Sequence, residues 1–221
     1  MEYKFAETVK NLNPSAIREI LKYAADPEVV SLSAGNPAPE AFPISDIAEI
    51  SARILKERPI DVLQYSTTEG YAPLRTHLTD YMKNKHNIGR GFDNILITAG
   101  AQQIVELAAK VLCNRGDVVI CEAPSFIGSL NSFRSLGGKL VGVPIESDGM
   151  DMTALENALK ANANAKFIYT IPNFQNPSGI TMSLEKRRIL YEIARKYDVV
   201  IVEDNPYGDL RFEGEHVPAI K

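Results

Sequence analysis

An α/β fold built on a mostly parallel sheet is predicted by three features of this sequence. Short runs rich in β-branched residues recur from Asn94 onward, helix-length segments separate them, and each run is continuously apolar. Strands buried on both faces by crossover helices need that continuity; half-exposed strands would alternate in polarity.

The elements follow in order. Asn13-Pro14 supplies a cap and first-turn pair for a helix running to about Ala25, closed by Asp26-Pro27, with a short extended piece over 29–32. Ser33-Ala34-Gly35-Asn36-Pro37-Ala38-Pro39 reads as irregular loop, because its Gly and Pro residues fix backbone angles that helices and central strands reject. Helical periodicity predicts helices over 45–57 and 72–85, with Gln64 to Gly70 as a loop between them. Within that loop Tyr65 could be a packed aromatic and nothing more. Strands are then predicted at Ile95–Thr98, Val118–Cys121, Leu140–Val143, Phe167–Ile171 and Val199–Val202. No repeat or low-complexity linker interrupts them, so the chain is divided into an N-terminal arm, 1–45, and one main domain, 46–221.

Composition narrows the function. The 221 residues are 45% hydrophobic and 24% charged, which suits a globular domain with a real core rather than a disordered or membrane-spanning chain. With 24 Lys and Arg against 28 Asp and Glu, the net charge of −4 and the lack of a basic stripe argue against a nucleic-acid partner. Cys113 and Cys121 sit in apolar surroundings without metal-ligand spacing, and read as reduced, buried thiols of a cytoplasmic protein. Met1 to Lys10 mixes charged residues without an apolar core, so neither a leader nor an anchor is expected there.

Ligands of parallel sheets collect at the carboxyl ends of the strands, and the polar clusters of this sequence stand there. Thr98-Ala99-Gly100-Ala101-Gln102-Gln103 joins a predicted strand to a helix whose first-turn N–H groups would hold an anion such as a phosphate. Tight helix packing would explain the same small residues. It is neither G-x-G-x-x-G nor a Walker loop, so nicotinamide and nucleoside-triphosphate ligands are disfavoured. Phe126 follows the next strand, where it would either stack on a flat heteroaromatic ring or fill core. Asn176, in the amide-rich loop Pro172 to Gly179, could donate to a phenolic oxygen or a carboxylate; a plain turn would read alike. Asp204 ends a buried strand, and its burial would be costly without a cation or several donors. A protonated ring nitrogen would be such a cation.

Gln64-Tyr65-Ser66 with Gly70 and Leu74-Arg75, then Ala99-Gly100-Ala101-Gln102-Gln103, Asn176-Pro177-Ser178-Gly179 and Asp204-Asn205-Pro206-Tyr207, together resemble the class I/II aminotransferases of pyridoxal-phosphate fold type I. The resemblance runs along essentially the whole chain and lies nearest the aminoadipate and aromatic branch. It implies the three-layer α/β/α large domain of that fold and pyridoxal 5′-phosphate as cofactor. Asp204 would pair with the ring nitrogen, Asn176 and Tyr207 would hold the phenolic oxygen, Phe126 would stack on the ring, and Gly100, Ala101 and Gln102 would hold the phosphate. Tyr65 would reach the phosphate from a second copy, which implies a homodimer, and Gly35 and Asn36 would line the substrate entrance with Asn176 near the substrate carboxylate. The Asn176-Pro177 bond is expected to be cis. The implied activity is amino transfer from an amino acid to a 2-oxo acid in amino-acid metabolism. The alternatives are a lyase or decarboxylase of the same fold, or the ligand-sensing domain of a transcription regulator.

One departure stands out. Transamination needs a cofactor-linked lysine, which the resemblance implies in a Ser-x-x-Lys context, and Lys221, after Val217-Pro218-Ala219-Ile220, has no such serine. No catalytic residue and no metal site are therefore assigned. The lysine is expected beyond Lys221, in a longer enzyme of which this chain, incomplete at the C-terminus and inactive alone, is the N-terminal part.

Overall fold

Strands β1 (Val118–Ala123), β2 (Lys139–Glu146), β3 (Gly149–Met150), β4 (Ala165–Thr170) and β5 (Val200–Glu203) form one sheet in the order β3-β2-β1-β4-β5. A computed structural model describes residues 3–10, 26, 28–30 and 37–221. β1 pairs in parallel with β2 and β4, and β4 with β5; the two-residue β3 runs antiparallel at the edge.

Alternate residues of the central strands feed two cores, as a strand period of two requires. Val118, Ile120 and Ile168 face one cluster with Leu155, Leu159, Leu190 and Ala194, contributed by helices at Met152–Ala161 and Leu184–Tyr197. Val119, Cys121, Phe167 and Tyr169 face the other with Val105, Ala109 and Phe133, from helices at Ala101–Leu112 and Ile127–Ser135. This is the predicted three-layer α/β/α arrangement. Phe133 is fully buried and meets Phe167 and Tyr169 edge-on, with ring centroids 5.2 and 5.3 Å apart. Such pairs add ~0.5–1.5 kcal/mol each beyond burial. Asp151 caps the Met152–Ala161 helix by accepting from Ala154 N at 3.0 Å, and Ser183 caps the Leu184–Tyr197 helix by accepting from Lys186 N.

The described residues fall into two compact units, one of 3–10, 77–94 and 98–221, the other of 26, 28–30, 37–76 and 95–97. The second contains helices at Ile44–Glu57 and Pro59–Leu63 and the first turn of the Ala72–His86 helix. The predicted helices over 45–57 and 72–85 are therefore present, while the helix expected over 13–25 lies outside the described residues.

The expected strand Ile95–Thr98 is corrected to an irregular segment outside the sheet. Its backbone is engaged locally: Ile97 N donates to Glu69 O at 3.0 Å, and Arg75 Nε donates to Ile95 O at 2.7 Å. Gly70 permits this approach, since a Cβ there would stand 2.6 Å from the Ile97 Cβ and φ is +103°.

Candidate functional site

Because β1, β4 and β5 run parallel, their carboxyl ends deliver Pro124 to Phe126, Pro172 to Gly179 and Asp204 to Tyr207 to the same end of the sheet. Asp204 continues the ladder by one bond, its N–H donating to Thr170 O at 2.9 Å. Its side chain is half-buried rather than buried as expected. A donor meets the charge there: Tyr169 Oη donates to Asp204 Oδ2 at 2.6 Å, and Ser129 Oγ lies 2.8 Å from the same phenol. Burial, and then the bond to Asp204, push the Tyr169 phenol far above its ordinary range, so it stays protonated.

Asn176 and Tyr207 are brought together. Asn176 Nδ2 donates to Tyr207 Oη at 3.2 Å, joining the loops after β4 and β5. The Asn176-Pro177 bond is cis, as expected, and so is Ala123-Pro124. Beneath them Gln175, almost fully buried, donates to Pro124 O at 2.9 Å and Glu122 Oε2 at 3.1 Å, while its own oxygen accepts from Ser178 N at 2.9 Å. Glu122 also receives the Thr170 hydroxyl and the Ile171 N–H; burial nevertheless raises its carboxyl above the ordinary range. Asn173 Nδ2 donates to Asn205 Oδ1 at 2.9 Å, and Arg187 Nη2 donates to Asn173 Oδ1 at 2.7 Å.

Gly100 takes φ +85° immediately before the Ala101–Leu112 helix and leaves Ala101 and Gln102 in its first turn, where backbone N–H groups have no helical acceptor. Gln102 and Phe126 are neighbours across Gly128: Gln102 Nε2 donates to Gly128 O and Ser132 Oγ at 3.2 and 2.6 Å, and a Cβ on Gly128 would meet the Phe126 ring at 2.6 Å. Ser125 Oγ, at the same strand end, is buried without a hydrogen-bond partner among the described residues. Tyr65 belongs to the other unit, where its side chain is fully exposed, and Gly35 and Asn36 lie outside the described residues. Lys221 Nζ is paired with Asp93 Oδ1 at 2.6 Å.

Sequence reasoning missed Tyr169, Ser129, Gln175 and Arg187. Tyr169 carried a signal, a polar tip beside Thr170 within the otherwise apolar run Phe167–Ile171. Arg187 carried another: with Leu190 and Ala194 it falls at helical spacing on the buried face. Ser129 and Gln175 gain their roles only through contacts across the fold.

Residues 27–220 match the family model described as aminotransferase class I and II. An aromatic-amino-acid aminotransferase 1 of Thermococcus litoralis is 41% identical over 224 residues, covering 100% of this chain and 54% of that protein. A 2-aminoadipate transaminase of Thermus thermophilus is 39% identical over 98% of this chain and 53% of its own length. The crystal structure of Pyrococcus horikoshii kynurenine aminotransferase, a complex with PMP, superimposes with a TM-score of 0.89 at 35% identity, covering 98% of this chain and 54% of that one. The chain spans about half the length of the curated relatives it matches.

Proposed function

The chain belongs to the class I and II aminotransferases, and from that premise we propose that the whole protein moves an amino group from an amino acid to a 2-oxo acid with pyridoxal 5′-phosphate as cofactor. The observation that carries this reading is the convergence of Asp204, Asn176 and Tyr207 at the carboxyl ends of β4 and β5, with Asn176 and Tyr207 bonded at 3.2 Å.

The donor set fits that cofactor. When bound, the cofactor supplies an electron sink for charge developing at the α-carbon of the substrate. Asp204 holds the proton on the ring nitrogen, its Oδ2 already satisfied by Tyr169. Asn176 and Tyr207 orient the phenolic oxygen, and Phe126 covers the ring. The N–H groups of Gly100, before the helix, and of Ala101 and Gln102, in its first turn, receive the phosphate at the positive end of the helix. The Ser125 hydroxyl, without a hydrogen-bond partner among the described residues, supplies a further polar group at that strand end.

Tyr65 of a second copy completes the phosphate site in a homodimer. No lysine of this chain is assigned the proton-shuttling role. Relatives named for aromatic amino acids and 2-aminoadipate direct the substrate choice to those two classes. No helix among the described residues is long and apolar enough to cross a membrane. We infer a cytoplasmic location from the free thiols Cys113 and Cys121.

The test is an amino-donor panel with 2-oxoglutarate and added pyridoxal 5′-phosphate, using the full protein and following 2-oxo acid formation. Amino transfer that disappears in Asp204→Ala is expected. Release of carbon dioxide or ammonia without amino transfer would instead favour a lyase.

A further inference from the structure

We propose that Ser129 and Tyr169 form a hydrogen-bonded positioning relay that orients the Asp204 carboxylate toward the cofactor, an inference that rests on the reading of Asp204 as the cofactor's partner.

The geometry gives the relay a direction. A phenol has one proton, and that of Tyr169 goes to Asp204 Oδ2 at 2.6 Å, so the Ser129 hydroxyl must be the donor in its 2.8 Å contact with Tyr169 Oη. Protons therefore point from helix to strand to carboxylate, which suits an ionised Asp204. A hydroxyl that donates while accepting is polarised, and a bond to a charged acceptor is the stronger kind. Oδ2 is thereby committed, and Oδ1 remains for a cation.

Every member is held. Tyr169 is fully buried, paired in register with Cys121 on one side and Val202 on the other, and its ring meets Phe133 edge-on at 5.3 Å. Ser129 is buried in the first turn of the Ile127–Ser135 helix, three residues after Phe126. Phenylalanine would fill the Tyr169 position as well, edge-on to Phe133, so packing gives no reason for the hydroxyl. Both partners of that hydroxyl are side chains, and one of them is Asp204.

A double-mutant cycle on cofactor affinity tests this. Pyridoxal 5′-phosphate is titrated by absorbance into wild type, Tyr169→Phe, Ser129→Ala, Asp204→Asn and the Tyr169→Phe/Asp204→Asn double variant of the full protein, with near-ultraviolet circular dichroism as the check on folding. Tyr169→Phe is expected to weaken binding about 10-fold and Ser129→Ala about 3-fold, as loss of a charge-assisted and a neutral hydrogen bond would. Tyr169→Phe should also move the pH dependence of the bound cofactor's visible absorption, which loss of packing alone would leave in place. On the Asp204→Asn background it should add nothing further. Wild-type affinity and spectrum in Tyr169→Phe, or independent losses in the double variant, would overturn the relay. Should Tyr169→Phe fail to fold, Ser129→Ala decides the matter, since it keeps the Tyr169 to Asp204 bond: an unchanged affinity and spectrum would overturn the relay. Wild-type binding by Asp204→Asn would instead overturn the reading of Asp204 itself.

Discussion

Arg187 Nη2 donates to Asn173 Oδ1 across 2.7 Å, and through Asn173 this buried guanidinium reaches Asn205, the residue after Asp204. The same side chain donates to Pro172 O at 2.9 Å, Met182 O at 3.0 Å and Pro218 O at 2.8 Å, so it ties the loop after β4 to residues near the end of the chain. Three of the residues that accept from it, Pro172, Asn173 and Met182, are buried. Replacing it by methionine should cost about 3–5 kcal/mol, because several buried polar groups lose their partner together. Urea unfolding of Arg187→Met checks the loss. Arg187→Lys should recover little of it, since an ammonium cannot reproduce the planar fork.

A pH effect follows from Glu203. Burial raises its carboxyl above the ordinary value of 4.5, against the opposing pull of the Ile220 N–H at 3.1 Å and the nearby Arg187 charge. Between 4.5 and the higher folded value the native state holds more protons than the unfolded chain. Stability from this group is therefore complete below 4.5 and is lost as pH rises through the folded value. Glu203→Gln should become progressively more stable relative to wild type as pH rises above 4.5, measured by urea unfolding at ~0.5-unit steps. Glu122 has a shift of the same sign, so the substitution should remove only part of the wild-type slope.

The thiols differ in access. Cys121 is buried on β1, and desolvation together with the charge of Glu122 raises it to about 11. Cys113 is half-buried, and desolvation raises it too. With Ellman's reagent at pH 8, one thiol should react slowly and the second only on unfolding, with the Cys121 rate rising at least about 100-fold in urea. Two equally fast thiols in the native protein would contradict the buried placement of β1.

Legibility in the sequence tracked how local each determinant was. Val118–Cys121 and Phe167–Ile171 were readable as strands because both faces are covered and their apolar character is continuous. Ile95–Thr98 has the same composition, yet its backbone bonds to Glu69 and the Arg75 side chain, a choice made by tertiary partners rather than propensity. β3 is too short for any pattern. In the site, Asp204, Asn176 and Tyr207 were readable because each lies in the polar segment after a strand, Asp204 directly after β5 and the other two in the loops after β4 and β5. Tyr169 and Ser129 were not, because their contact depends on register and on how one helix lies against the sheet, 40 residues apart in sequence. Arg187 sits between Lys186 and Arg188 and looks like part of a solvated face until its spacing with Leu190 and Ala194 is counted.

Gly128 separates Phe126 from Gln102, and that spacing can be tested without touching either. A Cβ at 128 would stand 2.6 and 2.7 Å from two Phe126 ring carbons and 3.0 Å from Gln102 Oε1, contacts that force both side chains to move. Both are side chains, so the strain is relieved by rotation rather than by opening the core. Alanine also favours the helix by up to ~1 kcal/mol over glycine, which offsets part of the cost. Gly128→Ala should therefore keep its melting temperature to within a few degrees, about 1 kcal/mol for a domain of this size. If Phe126 stacks on the cofactor and Gln102 stands at its phosphate, the same variant should lose about 10-fold in pyridoxal 5′-phosphate affinity, on the order of 1.4 kcal/mol. Affinity unchanged by Gly128→Ala would return Phe126 to the role of a core aromatic, the competing reading that its sequence context left open.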